Sequence, residues 1–187
     1  MTTRHAMRSR RTAHSTVALA GAVALAGAAL LSAGPAQAAV GDLTCTASAT
    51  GTFTPPLSPS NTTSTANATG TLTNCVSANG NFSHLQSATV EASGPATASG
   101  PFALQCPALL TLNLKGTFTW QNGHKSKFTL TLNTDITNGT ATLTGTITSG
   151  PMKGDTISAA PTVSPNADCA TAGLKSLTAP VTALNFA

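Results

Sequence analysis

The stretch that decides the fold is residues 109–149, LLTLNLKGTFTWQNGHKSKFTLTLNTDITNGTATLTGTITS, in which apolar and polar side chains alternate. From Leu110 to Trp120, the even positions hold Leu, Gly, Phe and Trp, and the odd positions hold Thr, Asn and Lys. Successive side chains of a β-strand point to opposite faces, so this period of two gives each strand one apolar face. The same alternation returns at 128–133 and 142–148. The stretch therefore predicts three consecutive antiparallel strands.

The first of two Asn-Gly dipeptides, Asn122-Gly123, predicts the turn between the first two of these strands. A two-residue turn there would put Phe128 on the polar face, because a slip of one residue reverses every side chain. A three-residue loop, Gln121–Gly123, instead pairs Leu114 with Leu130 and keeps the apolar faces together. We therefore predict this loop, with Gly123 in the left-handed conformation of a type I turn followed by a bulge.

The second dipeptide, Asn138-Gly139, predicts a two-residue type I′ turn between the second and third strands. In that register Thr137 pairs with Thr140, and Leu130 pairs with Ile147. The apolar faces of the two strands lie on the same side in this register, so we predict the two-residue turn.

The remainder of the chain after residue 38 predicts further short strands separated by Gly, Pro and Asn, and no helix. Eight or nine short strands with turn signals about every ten residues are typical of an all-β fold. We predict an antiparallel β-sandwich with an immunoglobulin-like look. A small closed β-barrel is the alternative.

Residues 1–38 have the pattern of a secretion signal. Four arginines precede an apolar stretch at 17–31, and Ala36-Gln37-Ala38 is a small-x-small cleavage site. The apolar stretch is short for a membrane span. We predict a secreted, extracellular protein without a membrane partner after cleavage, with one domain at 39–187.

The formal charge of +4 arises in the predicted signal. All four arginines lie there, whereas the five lysines and five acids lie after residue 38 and cancel. A neutral domain without arginine argues against nucleic acid and anionic membranes as partners.

Four cysteines follow the predicted signal, at Cys45, Cys75, Cys106 and Cys169. An even number in an exported chain predicts two disulfides, for which three connectivities exist. We favour Cys45–Cys75 and Cys106–Cys169, because neighbours along the chain close first. The absence of a C-x-x-C pair argues against zinc.

Groups that could carry out chemistry are few. His84 and His124 are the histidines outside the predicted signal, and the sequence has no G-x-S-x-G motif. Asp135, Asp155 and Asp168 are widely spaced and lie at strand ends or in loops. We predict no catalytic residue, no metal site and no cofactor, although a cleft that gathered His84, Asp155 and Asp168 would indicate a hydrolase.

The candidate ligand contacts are Trp120 and His124. Trp120 could form a stacking platform for a sugar or an anchor for a protein partner. Its position on the apolar face of its strand favours the core instead. His124 borders the first predicted turn, and we expect it at the surface.

Several segments together resemble a group of small exported β-rich proteins from high-GC Gram-positive bacteria. The segments are Leu43-Thr44-Cys45, Pro55-Pro56-Leu57, residues 70–75, residues 118–123, and residues 144–150 with Lys153-Gly154-Asp155. The resemblance implies export, a β fold and two disulfides, and it transfers no catalytic residue.

Three functions remain open at this point. The first is a non-enzymatic extracellular domain that binds a cell-wall polymer, a glycan or a protein. The second is an inhibitor of a hydrolase or protease, with its reactive loop in the Pro-rich turns. The third is a hydrolase with an unrecognised site. The scarcity of titratable groups argues against the third, and the first is our preferred prediction.

Overall fold

The computed structural model describes residues 41–187, and the predicted secretion signal at 1–38 lies outside the described residues. Alternating sequence folds into long strands, and one short helix precedes the last of them. The elements are β1 Leu43–Leu57, β2 Thr63–Val76, β3 Ala88–Ala103, β4 Cys106–Trp120, β5 Lys125–Asp135, β6 Thr140–Ser149, β7 Thr156–Ala159, β8 Ser164–Pro165, α1 Cys169–Ala172 and β9 Leu174–Phe186.

Eight of these strands form a closed antiparallel barrel. Each strand from β1 to β7 pairs with the next, β7 pairs with β9, and β9 pairs with β1. The two-residue β8 adds to β9 outside this closure. The all-β class is confirmed. The preferred sandwich is wrong and the alternative barrel is right, because β1 is paired along both sides and closure removes the open edges that two separate sheets would keep.

The predicted turn between β4 and β5 is confirmed. Leu114 pairs with Leu130, so the apolar faces of β4 and β5 lie on the same side of the sheet. The Trp120 N–H donates to the carbonyl of His124 at 2.9 Å, and the Gly123 N–H donates to the carbonyl of Trp120 at 2.8 Å. Gly123 has φ +84°, which is the left-handed conformation that glycine adopts at low cost.

The predicted turn between β5 and β6 is wrong by two residues. Asp135 pairs with Thr140, so the loop has four residues, and Leu130 pairs with Gly145. The carboxylate of Asp135 accepts hydrogen bonds from the backbone N–H of Asn138 at 3.1 Å and from its side-chain amide at 2.7 Å. These bonds stabilise the longer loop. A shift of two residues leaves every side chain on its predicted face.

The barrel interior holds two layers of buried side chains, one near each end. The aromatic end contains the rings of Phe118, Trp120, Phe128 and Phe186. Phe118 contacts Phe128 and Phe186 with ring centroids 4.3 and 5.7 Å apart. The leucine end contains Leu57, Leu110, Leu112, Leu174 and Leu177 among its buried residues. The two layers therefore fill the two ends of the barrel interior.

Two disulfides fix one side of each end. Cys45 of β1 is bonded to Cys75 of β2, and Cys106 of β4 is bonded to Cys169 of α1. The favoured pairing is therefore confirmed. Cys45 packs in the aromatic end and Cys169 in the leucine end, so each layer contains one covalent link.

Candidate functional site

The middle of the barrel, which we call the waist, is lined on one side by very small side chains. Inward positions of β1 run from Leu43 and Cys45 through Ala47, Ala49 and Gly51 to Phe53, so bulk is present at both ends and missing between them. Neighbouring strands repeat the pattern at their centres. Small residues that face the waist are Ala47, Ala49, Gly51, Ala68, Ala92 and Ala179.

The opposite side of the waist is lined by larger side chains from the strands of the deciding stretch. Leu114 of β4, Leu130 of β5 and Leu143 of β6 face the small residues across the barrel. Leu130 and Leu143 pack against both end layers, so they mark the level between the two. Because alanine and glycine do not reach these leucines, the interior at this level is not filled.

The result is an internal cavity of about 100 Å³ between the aromatic and leucine ends. The side chains that face it are hydrocarbon, since Ser48 and Thr71 of the surrounding strands point outward and are exposed. A cavity with apolar walls stays free of water because a water molecule inside would lack hydrogen-bond partners. The waist can therefore accept a small apolar group and offers nothing to a polar one.

The aromatic end contains a buried polar chain that is fully satisfied. The Trp120 indole N–H donates to the hydroxyl of Ser126 at 3.0 Å, and that hydroxyl donates to the carbonyl of Pro151 at 2.8 Å. Ser126 is 0% exposed. Trp120 is 1% exposed, as the core interpretation predicts, so its indole presents no open face to a ligand outside the barrel.

A pair of carboxylates, Asp42 and Asp155, lies beyond the aromatic end. Burial, together with the negative charge of the neighbouring Asp42, raises the pKa of Asp155 to about 6. The Oδ2 atom of Asp155 is shielded from solvent and has no hydrogen-bond partner among residues 41–187. Asp42 accepts a hydrogen bond from the side-chain amide of Asn79. Asp155 is thus the ionisable group whose protonation matters for this end of the barrel.

The other sequence-predicted groups are dispersed. Asp168 pairs with Lys175 at 2.7 Å beside the start of β9, whereas Asp155 lies near the other end of that strand. The Lys175 ammonium, followed by the amide of Asn166, lowers the pKa of Asp168. His84 and His124 are exposed. The structure therefore does not gather His84, Asp155 and Asp168 into one cleft.

Among residues 41–187, no three acids, histidines or cysteines lie close enough together to hold a metal ion. Over the same residues, no helix has the length and apolarity of a membrane span. Asp135, the remaining predicted acid, binds Asn138 in the β5–β6 loop.

The cavity is the feature that sequence reasoning missed. Its signal was present as alanine and glycine at the centres of otherwise alternating strands, in Ala47, Ala49 and Ala68. The register of β1, β2, β3 and β9 brings these strand centres to one level, and the sequence alone does not specify that register.

The fold and site together define a closed eight-stranded antiparallel barrel with a hydrocarbon-lined waist cavity. No protein-family model, curated protein or solved structure matches the chain.

Proposed function

We propose that the protein is a secreted, non-enzymatic binding domain that holds a small apolar molecule, or the apolar end of a larger one, at the barrel waist. The observation that carries this proposal is the hydrocarbon-lined cavity of about 100 Å³. An eight-stranded barrel is just wide enough to be filled by side chains or to hold one small ligand. Here side chains fill both ends and leave the waist free.

The ligand class follows from the size and chemistry of the cavity. Transfer of apolar surface from water into this space contributes about 25 cal/mol per Å². A polar group placed there would lose its hydrogen bonds to water and gain none, which costs roughly 1–3 kcal/mol or more. The space suits a noble-gas atom, a short branched alkyl group or, after slight expansion, a single aromatic ring. It excludes sugars and peptides.

Nuclear magnetic resonance with xenon and benzene as probes tests the proposal. Methyl signals of Ala49, Leu114 and Leu130 should shift in a saturable manner, while those of the outward-facing Thr50 should not. The variant Ala49→Leu fills the cavity and should abolish the shifts, and Thr50→Leu on the same strand serves as the matched control. Interior methyl signals that stay fixed at saturating xenon would rule out the proposed ligand class.

Secretion is supported by the two disulfides, which are compatible with an extracellular protein. The absence of a chemical step is supported by the side chains that face the waist, none of which titrates. A cell-wall polymer, a glycan or a protein as an additional partner of the outer surface stays a prediction, and so does the role of His124 in contacting it.

A second candidate, an inhibitor of an extracellular protease, is favoured by one observation. Pro55 and Pro56 are exposed at the end of β1, and their carbonyls accept hydrogen bonds from Ser64 at 2.7 Å and from Asn61 at 2.9 Å. An exposed segment held by its neighbours is the form that a rigid inhibitory loop takes. Inhibition of any member of a protease panel, lost in Pro56→Ala, would favour this candidate over the apolar-ligand proposal.

A further inference from the structure

Among the ladders that close the barrel in residues 41–187, the ladder between β7 and β9 has the fewest paired residues. The neighbouring β4–β5 ladder runs without a break from Leu109–Asp135 to Thr119–Lys125. In the described residues, β7 pairs with β9 only through Ile157–Phe186 and Ser158–Asn185. Two backbone hydrogen bonds between Thr156 and Ala187, of 2.6 and 3.0 Å, extend this short ladder away from the waist.

On the waist side of these pairs the ladder ends. We call this place the seam: residues 159–161 on one side and residues 181–184 on the other. The chain leaves β7 after Ala159, and its next backbone bond to β9 runs from the Thr162 N–H to the carbonyl of Pro180 at 3.3 Å.

Two features of the sequence prevent the seam from forming a ladder. Pro180 has no N–H with which to return the hydrogen bond that its carbonyl accepts from Thr162. In addition, β9 is irregular here, because its pairing with β1 moves from Ala47–Val181 to Cys45–Leu184, which leaves one extra residue in β9. Such a bulge disrupts the local hydrogen-bond pattern. The gap is therefore encoded in the residues that border it.

The cavity lies directly behind the seam. Pro161 on one side and Val181 and Leu184 on the other are among the residues that line it. A path between two strands that are laddered at the waist, such as β4 and β5, would require loss of their backbone hydrogen bonds, and the ends are blocked by the aromatic and leucine layers. A path through the seam requires only that apolar side chains move apart.

We propose that the seam is the entry gate of the cavity, and that residues 160–161 swing outward to admit an apolar ligand. This inference rests on the proposed function, because it concerns access to the same cavity. It adds that ligand exchange is controlled by one short segment between β7 and the Thr162–Pro180 bond, and not by general loosening of the barrel.

The test is a disulfide across the seam. In the register of the two existing pairs, Ala160 falls opposite Ala183, and both are exposed, so Ala160→Cys with Ala183→Cys should close the gate. The matched control places two cysteines on Thr50 and Thr69, an outward pair of the intact β1–β2 ladder. Peptide mapping would verify that both native disulfides are retained in each variant.

Xenon and benzene exchange is then measured by magnetisation-transfer NMR. We expect the seam disulfide to slow exchange at least tenfold and to leave the equilibrium occupancy unchanged, while the control exchanges as the wild type does. Equal exchange in the seam variant and the wild type would overturn the gate. Failure of the wild type to bind either probe would instead overturn the proposed function.

A second variant covers the case in which the seam disulfide does not form. Pro161→Gly gives residues 160–161 more backbone freedom, and we expect faster probe exchange. An unchanged rate in Pro161→Gly would count against the gate in the same way.

Discussion

Filling the waist cavity should stabilise the barrel, and Ala49→Leu is the change that tests this most directly. Ala49 faces the cavity and pairs with Gly70, which has no side chain to obstruct a larger neighbour. The corresponding control, Thr50→Leu, adds similar bulk to the outer surface of the same strand.

The stabilisation expected for Ala49→Leu can be calculated in two ways. Unfilled volume costs about 24 cal/mol per Å³, so a cavity of about 100 Å³ costs about 2.4 kcal/mol. The added leucine carbons contribute about 0.8 kcal/mol each on burial, which again gives about 2.4 kcal/mol. Loss of leucine rotamers removes about 0.5–1 kcal/mol. We expect a net stabilisation of about 1.5 kcal/mol, which corresponds to about 3–6 °C in Tm for a domain of this size.

Urea unfolding, followed by the fluorescence of the single tryptophan, Trp120, is a suitable assay. The control Thr50→Leu should stay within about 0.5 kcal/mol of the wild type. If Ala49→Leu destabilises the protein by more than about 1 kcal/mol while the control does not, the waist is already filled and both proposals lose their basis.

Three further predictions concern single residues. The carboxyl group of Asp155, with its pKa raised to about 6, contributes most to stability below about pH 4. This contribution, about 1 kcal/mol after solvent screening, is lost as the pH rises through 6, and Asp155→Asn should abolish the loss in urea titrations at pH 4–8. Ser126→Ala leaves the buried N–H of Trp120 without an acceptor and should cost about 1–3 kcal/mol in the same assay, with Ser126→Thr as the control that keeps a hydroxyl. Gly116→Ala places a methyl group against the ring of Phe128 and should cost about 1–3 kcal/mol by overpacking; an unchanged Tm in differential scanning calorimetry would contradict the interior position of Gly116.

Turns could be predicted from the sequence where the apolar faces of two neighbouring strands had to match. The loop at Gln121–Gly123 was predicted correctly because the shorter turn would have put Phe128 on the wrong face. The β5–β6 turn was predicted two residues short because both registers satisfy the same alternation. The hydrogen bonds that Asp135 accepts from Asn138 favour the longer loop, and the alternation does not reveal them.

Non-local features could not be read in this way. Closure depends on the pairing of β1 with β9, and both a sandwich and a barrel bury the same alternating faces. The cavity depends on the alignment of small residues such as Ala49, Ala92 and Ala179, which lie on three different strands. Their meeting at one level is a consequence of strand register, which the alternation alone leaves undetermined.

The pairing of β1 with β9 also determines when the protein can finish folding. Until Leu174–Phe186 is available, Leu43–Leu57 has one unpaired edge, and β7 has another. Such edges can recruit a strand from a second chain. If the chain crosses a membrane from its amino end, as the sequence predicts, β1 emerges before β9. The edge of β1 that pairs with β9 then stays unpaired until β9 has also crossed. Chaperones on the exit side of the membrane would then act during that interval. Circular permutation that places Leu174–Phe186 before β1 should shorten the interval.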